Sequence, residues 1–346
     1  MYIRAVSAIS PQVSFEQLVS SPAVYTGDRL ACIEPDYTET IDPKMIRRMS
    51  RIIKMGVTAA GDCLREATVT MPDAIITGTA YGCLADTESF LKRMIEFKEE
   101  LLNPTSFIQS THNTVAAQIA LLLKCHHYNN TYVHRGFSFE SALLDAMVRI
   151  KEGDAKTALV GGVDEITDTS HNLLRRFGQY RTHAATTTLY EEGGKGTMNG
   201  EGATFLVLSG ESNSGDYARL NGLHTFYKPA GIDEVEKQVV LFLKNNHIAP
   251  GEIDLLVCGD NGDTTNDSIY KQVRSRIFAN IPFLRFKHYC GEYPTATAFA
   301  LWFASHVLKK GTVPADAAIR CEKPGNILVY NHFNHTHHSL FLLSVC

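Results

Sequence analysis

Residues 131–165, TYVHRGFSFESALLDAMVRIKEGDAKTALVGGVDE, decide how the chain folds. Thr131 to Arg135 form a short extended run. The chain turns at Gly136 and enters a helix in which Phe139, Ala142, Leu143, Ala146, Met147 and Ile150 share one face of a 3.6-residue period. Gly153 follows the last apolar position, where a left-handed residue commonly ends a helix. Thr157 to Val160 then read as a strand closing on Gly161-Gly162. The order is strand, sharp turn, helix with a buried stripe, strand, glycine pair. Many α/β enzymes place a nucleophile at such a turn, because the helix N-terminus stabilises developing negative charge. Here the turn holds Gly136, which has no side chain to offer.

The chain has 346 residues and is 44% hydrophobic, enough for one large domain or two fused ones. A net charge of −4 with mixed signs argues against a nucleic-acid partner. The eight cysteines form no CxxC pair or regular framework, and the first residues do not read as a secretory signal. A reduced, cytoplasmic setting is the expectation. The apolar run Ala116 to Leu123 falls far short of the ~20 residues of a membrane span.

Outward from the central stretch, residues 1–12 read as a strand and turn. Asp42-Pro43 reads as the start of a strong helix running through Leu64. Ala74 to Thr77 form a strand ending at Gly78. A helix follows through Phe97, broken at Asn103-Pro104, and Asn113 caps another over Thr114 to Lys124. Residues 169–198 read as a polar, irregular loop. Asn199-Gly200-Glu201-Gly202-Ala203 leads into a strand, and residues 209–216 read as a linker. The second part repeats the first in outline: a helix over Ile232 to Asn246, a strand ending at Cys258-Gly259, a helix over 267–279, an extended run to Tyr289, a turn at Cys290-Gly291, and a helix from Thr295 to Lys310. Alternation of strands and helices predicts an α/β class.

The central stretch resembles the segment around the active-site cysteine of β-ketoacyl synthases, members of the thiolase-like superfamily. Gly153-Asp154-Ala155, Gly161-Gly162-Val163-Asp164 and the Gly200-Glu201-Gly202-Ala203 step carry the likeness. The resemblance implies a duplicated, five-layered α-β-α-β-α architecture, with halves at 1–210 and 211–346. It also implies a Cys-His-His catalytic set, which this chain lacks. Counting from Gly153, Gly136 stands at the cysteine. Gly259, after the strand Ile253 to Val257, stands at the first histidine. Glu292, in the turn Lys287-His288-Tyr289-Cys290-Gly291-Glu292, stands at the second. A carboxylate accepts hydrogen bonds and repels an enolate, so Glu292 cannot replace a donor histidine. The C-terminal turn His332-Phe333-Asn334-His335-Thr336-His337 matches the family's Gly-Phe-Gly-Gly-Thr-Asn only at Phe333 and Thr336.

The resemblance therefore implies a silent homologue, of the kind seen in chain-length factors, that pairs with an active ketosynthase or with itself and meets an acyl carrier protein. Phe137, Phe139 and Phe333 are the expected gate or tunnel residues, and Gly200, Glu201 and Gly202 a structural turn. No cofactor and no metal are implied. Two alternatives stay open. One is an acyltransferase or decarboxylase that uses Cys290, at a turn before a helix where thiol pKa values fall, or Glu292. The other is a non-catalytic carrier-protein or metal-binding module. For the latter, the cluster His332, His335, His337 and His338 is the candidate; along an extended segment His335 and His337 would point one way and His338 the other.

Overall fold

The computed structural model describes residues 1–100, 102, 104–315 and 323–346. Ten strands form one mixed sheet: β1 (Tyr2–Ile9), β2 (Ala74–Gly78), β3 (Tyr128–Tyr132), β4 (Thr157–Asp164), β5 (Gly202–Ser209), β6 (Ala218–Tyr227), β7 (Leu255–Cys258), β8 (Phe283–Arg285), β9 (Asn326–Phe333) and β10 (His337–Ser344). Their spatial order is β3-β2-β4-β5-β1, then β6-β10-β9-β7-β8. Counted outward from the middle, the two sets of five follow one scheme, each strand of the second set standing five places after its counterpart. Orientation repeats as well. β2 is parallel to β3 and β4, and β7 to β8 and β9; the remaining pairs within each set are antiparallel. β1 and β6 join the sets through Tyr2↔Arg219 and Ile3↔Ala218.

Six helices sandwich this sheet: α1 (Arg51–Glu66), α2 (Thr114–Leu123), α3 (Ser138–Glu152), α4 (Ile232–Asn245), α5 (Thr264–Ile277) and α6 (Ala296–Lys310). Strand alternation sorts the apolar residues into separate cores. Along β5, Leu206 and Leu208 face α3 and α6, while Phe205 and Val207 face α1. Along β9, Ile327 and Val329 face inward, while Leu328 and Tyr330 face α4 and α5. The layers are thus α1/α2, first half-sheet, α3/α6, second half-sheet, α4/α5. This is the five-layered α/β fold expected. With helices on both faces, strands such as LLVC (255–258) are buried throughout instead of alternating with polar residues.

α3 carries the buried stripe read from its period, and Gly153 ends it at φ +84°. Elsewhere the structure departs from the sequence reading. Asp42 does cap a helix, accepting from the Lys44 N–H at 2.7 Å, but that helix is only Pro43–Ile46. The long helix restarts at Arg51, which places the Arg51 guanidinium against Glu201. The expected loop 169–198 contains a helix, Asp168–Arg176, started by a capping box between Thr167 and Ser170. The run before Gly136 is strand only to Tyr132, because Arg135 takes a left-handed φ of +51°. The expected break at Asn103 lies outside the described residues. Among the described residues no helix is long and apolar enough to cross a membrane.

Candidate functional site

Gly136 sits in a single helical turn, Arg135–Phe137, between β3 and α3. Ser138 holds that turn: its Oγ accepts from the His134 N–H and donates to the Arg135 carbonyl, both at 2.8 Å. A Cβ at residue 136 would stand 2.7 Å from Phe333 Cβ and 3.1 Å from His337 Cβ. The tip of the β9–β10 hairpin has taken the volume that a nucleophile would need.

Gly259, at the end of β7, is closed in the same way. A Cβ there would meet Asn331 Oδ1 at 2.1 Å and Tyr270 Oη at 2.6 Å. The Tyr270 hydroxyl accepts from the His332 N–H at 2.7 Å, which ties α5 to β9 beside Gly259. The following loop is braced by Arg274, paired to both Asp260 oxygens at 2.7 and 2.8 Å. Asp267 accepts from the Asn261 and Gly262 N–H groups, and burial, with Asp260 nearby, raises its pKa to about 6.

Glu292 is buried, and both of its oxygens are engaged. Oε1 accepts from Lys287 Nζ at 2.5 Å and Oε2 from Asn261 Nδ2 at 2.6 Å. Lys287 is 1% exposed, so the pair neutralises itself within the protein. Glu292 also fastens the glycine turn: its N–H donates to the Met198 carbonyl, and the Gly200 N–H donates to its carbonyl. A Cβ on Gly200 would stand 2.1 Å from the Cys290 carbonyl oxygen, so only glycine fits there.

Glu201 serves as a hub. Its carboxylate accepts a bidentate pair from Arg51 at 2.6 and 2.7 Å and the N–H groups of Cys32 and Ile166. With every lone pair in use, it acts on backbone placement and not on a ligand. Asp164 does similar work at the end of β4. It accepts from Thr79 Oγ1 and the Ala80 N–H on one oxygen and from Thr295 Oγ1 on the other, while burial lifts its pKa to about 6.

Of the three positions Gly136, Gly259 and Glu292, only Glu292 lines the cleft beside them, which measures about 330 Å³. Glu292, Asn261 and Phe333 form its floor, and Tyr180, Lys195 and His335 stand on its walls. Gly136 lies beneath Phe333, out of reach from the cleft.

Cys290 is not the reactive thiol that its position suggested. It is fully buried, its Sγ donates to the Gly291 carbonyl at 3.3 Å, and burial pushes its pKa far up. A protonated, enclosed thiol is a poor nucleophile. Phe139 also departs from the expected role, being fully buried in the core between the half-sheets, away from the cleft. Phe137 packs edge-on against His337, with ring centroids 4.7 Å apart, behind the same floor. Only Phe333 of the three lines the cleft.

The histidines do not alternate as an extended segment would. Asn334 and His335 both take left-handed φ values, +51° and +53°, and form a tight hairpin turn closed by the Thr336 N–H to the Phe333 carbonyl. His332, His335 and His338 therefore gather on one side, with ring centroids 4.7 and 5.1 Å from His332. His337 points the other way, onto Phe137. Among the described residues no group of three or more His, Cys, Asp or Glu side chains is placed to hold a metal ion. Sequence reasoning missed Asn331 and Tyr270. The one available signal was a polar Asn331 directly after the apolar run ILVY (327–330).

The family described as "Beta-ketoacyl synthase, N-terminal domain" matches residues 11–214. A comparison with curated proteins finds no match. Solved structures match over the whole chain. The ishigamide ketosynthase/chain length factor superposes with a TM-score of 0.83 at 16% identity, covering 100% of this chain and 98% of that one. A type II polyketide-synthase acyl-carrier protein complex with its hexaketide-bound ketosynthase gives 0.81 at 15% identity, covering 100% and 99%. The ketosynthase ApeO with its chain length factor ApeC, from Xenorhabdus doucetiae, gives 0.78 at 16% identity, covering 100% and 98%. At these identities the structural likeness establishes the fold, while the sequence match covers more than half of the chain. The chain belongs to the β-ketoacyl synthase family.

Proposed function

We propose that this chain is a catalytically silent ketosynthase homologue, acting as a chain-length-factor-like partner of an active ketosynthase in fatty acid, polyketide or aryl-polyene type biosynthesis. The observation that carries this reading is Phe333 Cβ standing 2.7 Å from where a side chain on Gly136 would begin. Condensation needs a thiolate at that turn, and here both the thiol and the room for it are gone. Gly259 offers no side chain, and Glu292 is bonded to Lys287 and Asn261, so neither position supplies a donor for a thioester oxygen.

The partner surface is the β3 edge, the outermost strand of the first half-sheet. Exposed Val133 follows it, and exposed Leu121, Leu144 and Val148 lie on the helices packed beside it. Apolar side chains flanking an open strand edge favour pairing with another subunit. The solved relatives include ketosynthase–chain length factor pairs and a carrier-protein complex. These support an active ketosynthase and an acyl carrier protein as partners. The repeated strand order supports two halves divided near 210/211. The seven described cysteines are all free thiols, which supports a reducing, cytoplasmic setting.

The test is co-expression with an active ketosynthase from the same source that carries the intact Cys-His-His set. A 1:1 complex is expected, and Leu144→Asp with Val148→Asp should separate the two while each keeps its own melting transition. Separate elution of the unaltered proteins contradicts the reading.

A further inference from the structure

The β9–β10 hairpin tip carries four histidines within seven residues, His332 to His338, and the same tip supplies the Phe333 that covers Gly136. His332 is buried with its Nε2 at 3.0 Å from the Asn266 carbonyl oxygen, so that nitrogen must carry the proton. Its Nδ1 accepts from the His335 N–H at 3.4 Å. A second proton on His332 would set an N–H donor against that N–H. His338 is buried, with Nδ1 at 3.0 Å from the Tyr330 hydroxyl, and its Nε2 makes no hydrogen bond. The His335 Nε2 makes none either.

The groups facing these rings are mostly cationic. Lys287 acts on His332, while Arg135, Lys228 and His134 act on His337. The rings also repel one another when charged: His335 and His338 act on His332, and His335 and His337 act on His338. The carboxylate acting on the cluster is Asp263, beside His335. It is already committed to the Thr265, Asn266 and Gly196 N–H groups. Backbone carbonyls of Asn266, Thr265, Phe333 and His335 complete the surroundings. The turn stores strain as well, since Asn334 and His335 hold left-handed conformations that favour glycine.

We propose that residues 332–338 form a pH-sensitive cover over the cleft floor. The cover is closed when its imidazoles are neutral and lifts Phe333 from Gly136 when they take up protons in mildly acid solution. Burial lowers the pKa of all four rings, that of His338 to about 4. A folded value below the free one of 6.5 means that closure is fully favoured above pH 6.5 and is lost as pH falls toward 4. His338 alone then weakens closure by roughly 30-fold at pH 5. The inference does not depend on a ketosynthase partner.

Hydrogen exchange followed by mass spectrometry at pH 7.5 and 5.0, corrected for intrinsic exchange rates, reads this directly. The reporters are the N–H groups of His332, Thr336 and Lys228, bonded to Tyr270 Oη and to the Phe333 and Thr336 carbonyls. Their protection should fall at least tenfold at pH 5.0, while residues 52–60 of α1 keep theirs. His338→Gln should remove most of the pH dependence. His335→Asn, at the half-buried turn where asparagine tolerates the left-handed φ, should reduce it even if the first variant folds poorly. Equal protection at the two pH values, equal loosening of α1, or an undiminished effect in His335→Asn would overturn the proposal.

Discussion

Phe333 and Gly136 are separated by almost two hundred residues, yet the Cβ of the first lies 2.7 Å from where the side chain of the second would start. The contact joins the last hairpin of the second half to the strand-to-helix turn of the first. It makes residue 136 a glycine by packing as well as by sequence.

Restoring the nucleophile at that turn should therefore damage the protein without activating it. Gly136→Cys is expected to lower unfolding free energy by about 1–3 kcal/mol through overpacking. Combining it with Phe333→Gly, which removes the crowding Cβ itself, should cost less than the sum of the two single changes, by about 1 kcal/mol or more. Urea denaturation of the four proteins of the cycle measures this, and strict additivity would mean that the two residues do not compete for space.

Glu292 is coupled to a buried cation, Lys287. Lys287→Met leaves the Glu292 carboxylate buried without its cation and should cost about 3–5 kcal/mol. Adding Glu292→Gln removes that charge while keeping an acceptor for Asn261, so the double variant should be more stable than Lys287→Met alone. Glu292→His, which rebuilds the family pattern on paper, places an imidazole against Lys287 and should destabilise the chain. Thermal melts of the three variants check the ranking.

Much of this architecture was legible in advance, for local reasons. The stripe of α3, its glycine stop and the Gly-Glu-Gly step each depend on residues close in sequence, so their period and turn chemistry could be read directly. The failures were of two kinds. Asp42-Pro43 is a true start signal, but Arg51 must begin a new helix to reach Glu201, and that pull acts over 150 residues. The helix Asp168–Arg176 is polar apart from Leu173 and Leu174, so its period was faint, although Thr167 and Ser170 marked its start. Beside the cleft, the glycines at 136 and 259 stand out from spacing alone. Which side chains crowd them, Phe333, Asn331 and Tyr270, depends on how distant strands meet.

Glu140 on α3 gives a pH signature of opposite sign to the histidines. It is fully buried, and burial raises its pKa to about 7 against the usual 4.5, an effect tempered by Thr297, Ser339 and Lys287. A folded-state value above the unfolded one means that its favourable contribution is complete below pH 4.5 and is lost as pH rises through 7. Glu140→Gln cannot ionise. It should raise stability at pH 8, by on the order of 2 kcal/mol, and leave it little changed near pH 5. Denaturation midpoints at the two pH values test this, and a variant less stable at pH 8 than the parent would assign the carboxylate a partner in the fold.

The central claim is that this chain supports condensation without carrying the acyl group. Intact-mass spectrometry tests it most directly, on the complex with an active ketosynthase from the same source after loading from an acyl carrier-protein thioester. The account predicts a 1:1 complex in which only the ketosynthase gains the acyl mass. An acyl adduct on this chain, at Cys290 or elsewhere, would contradict it.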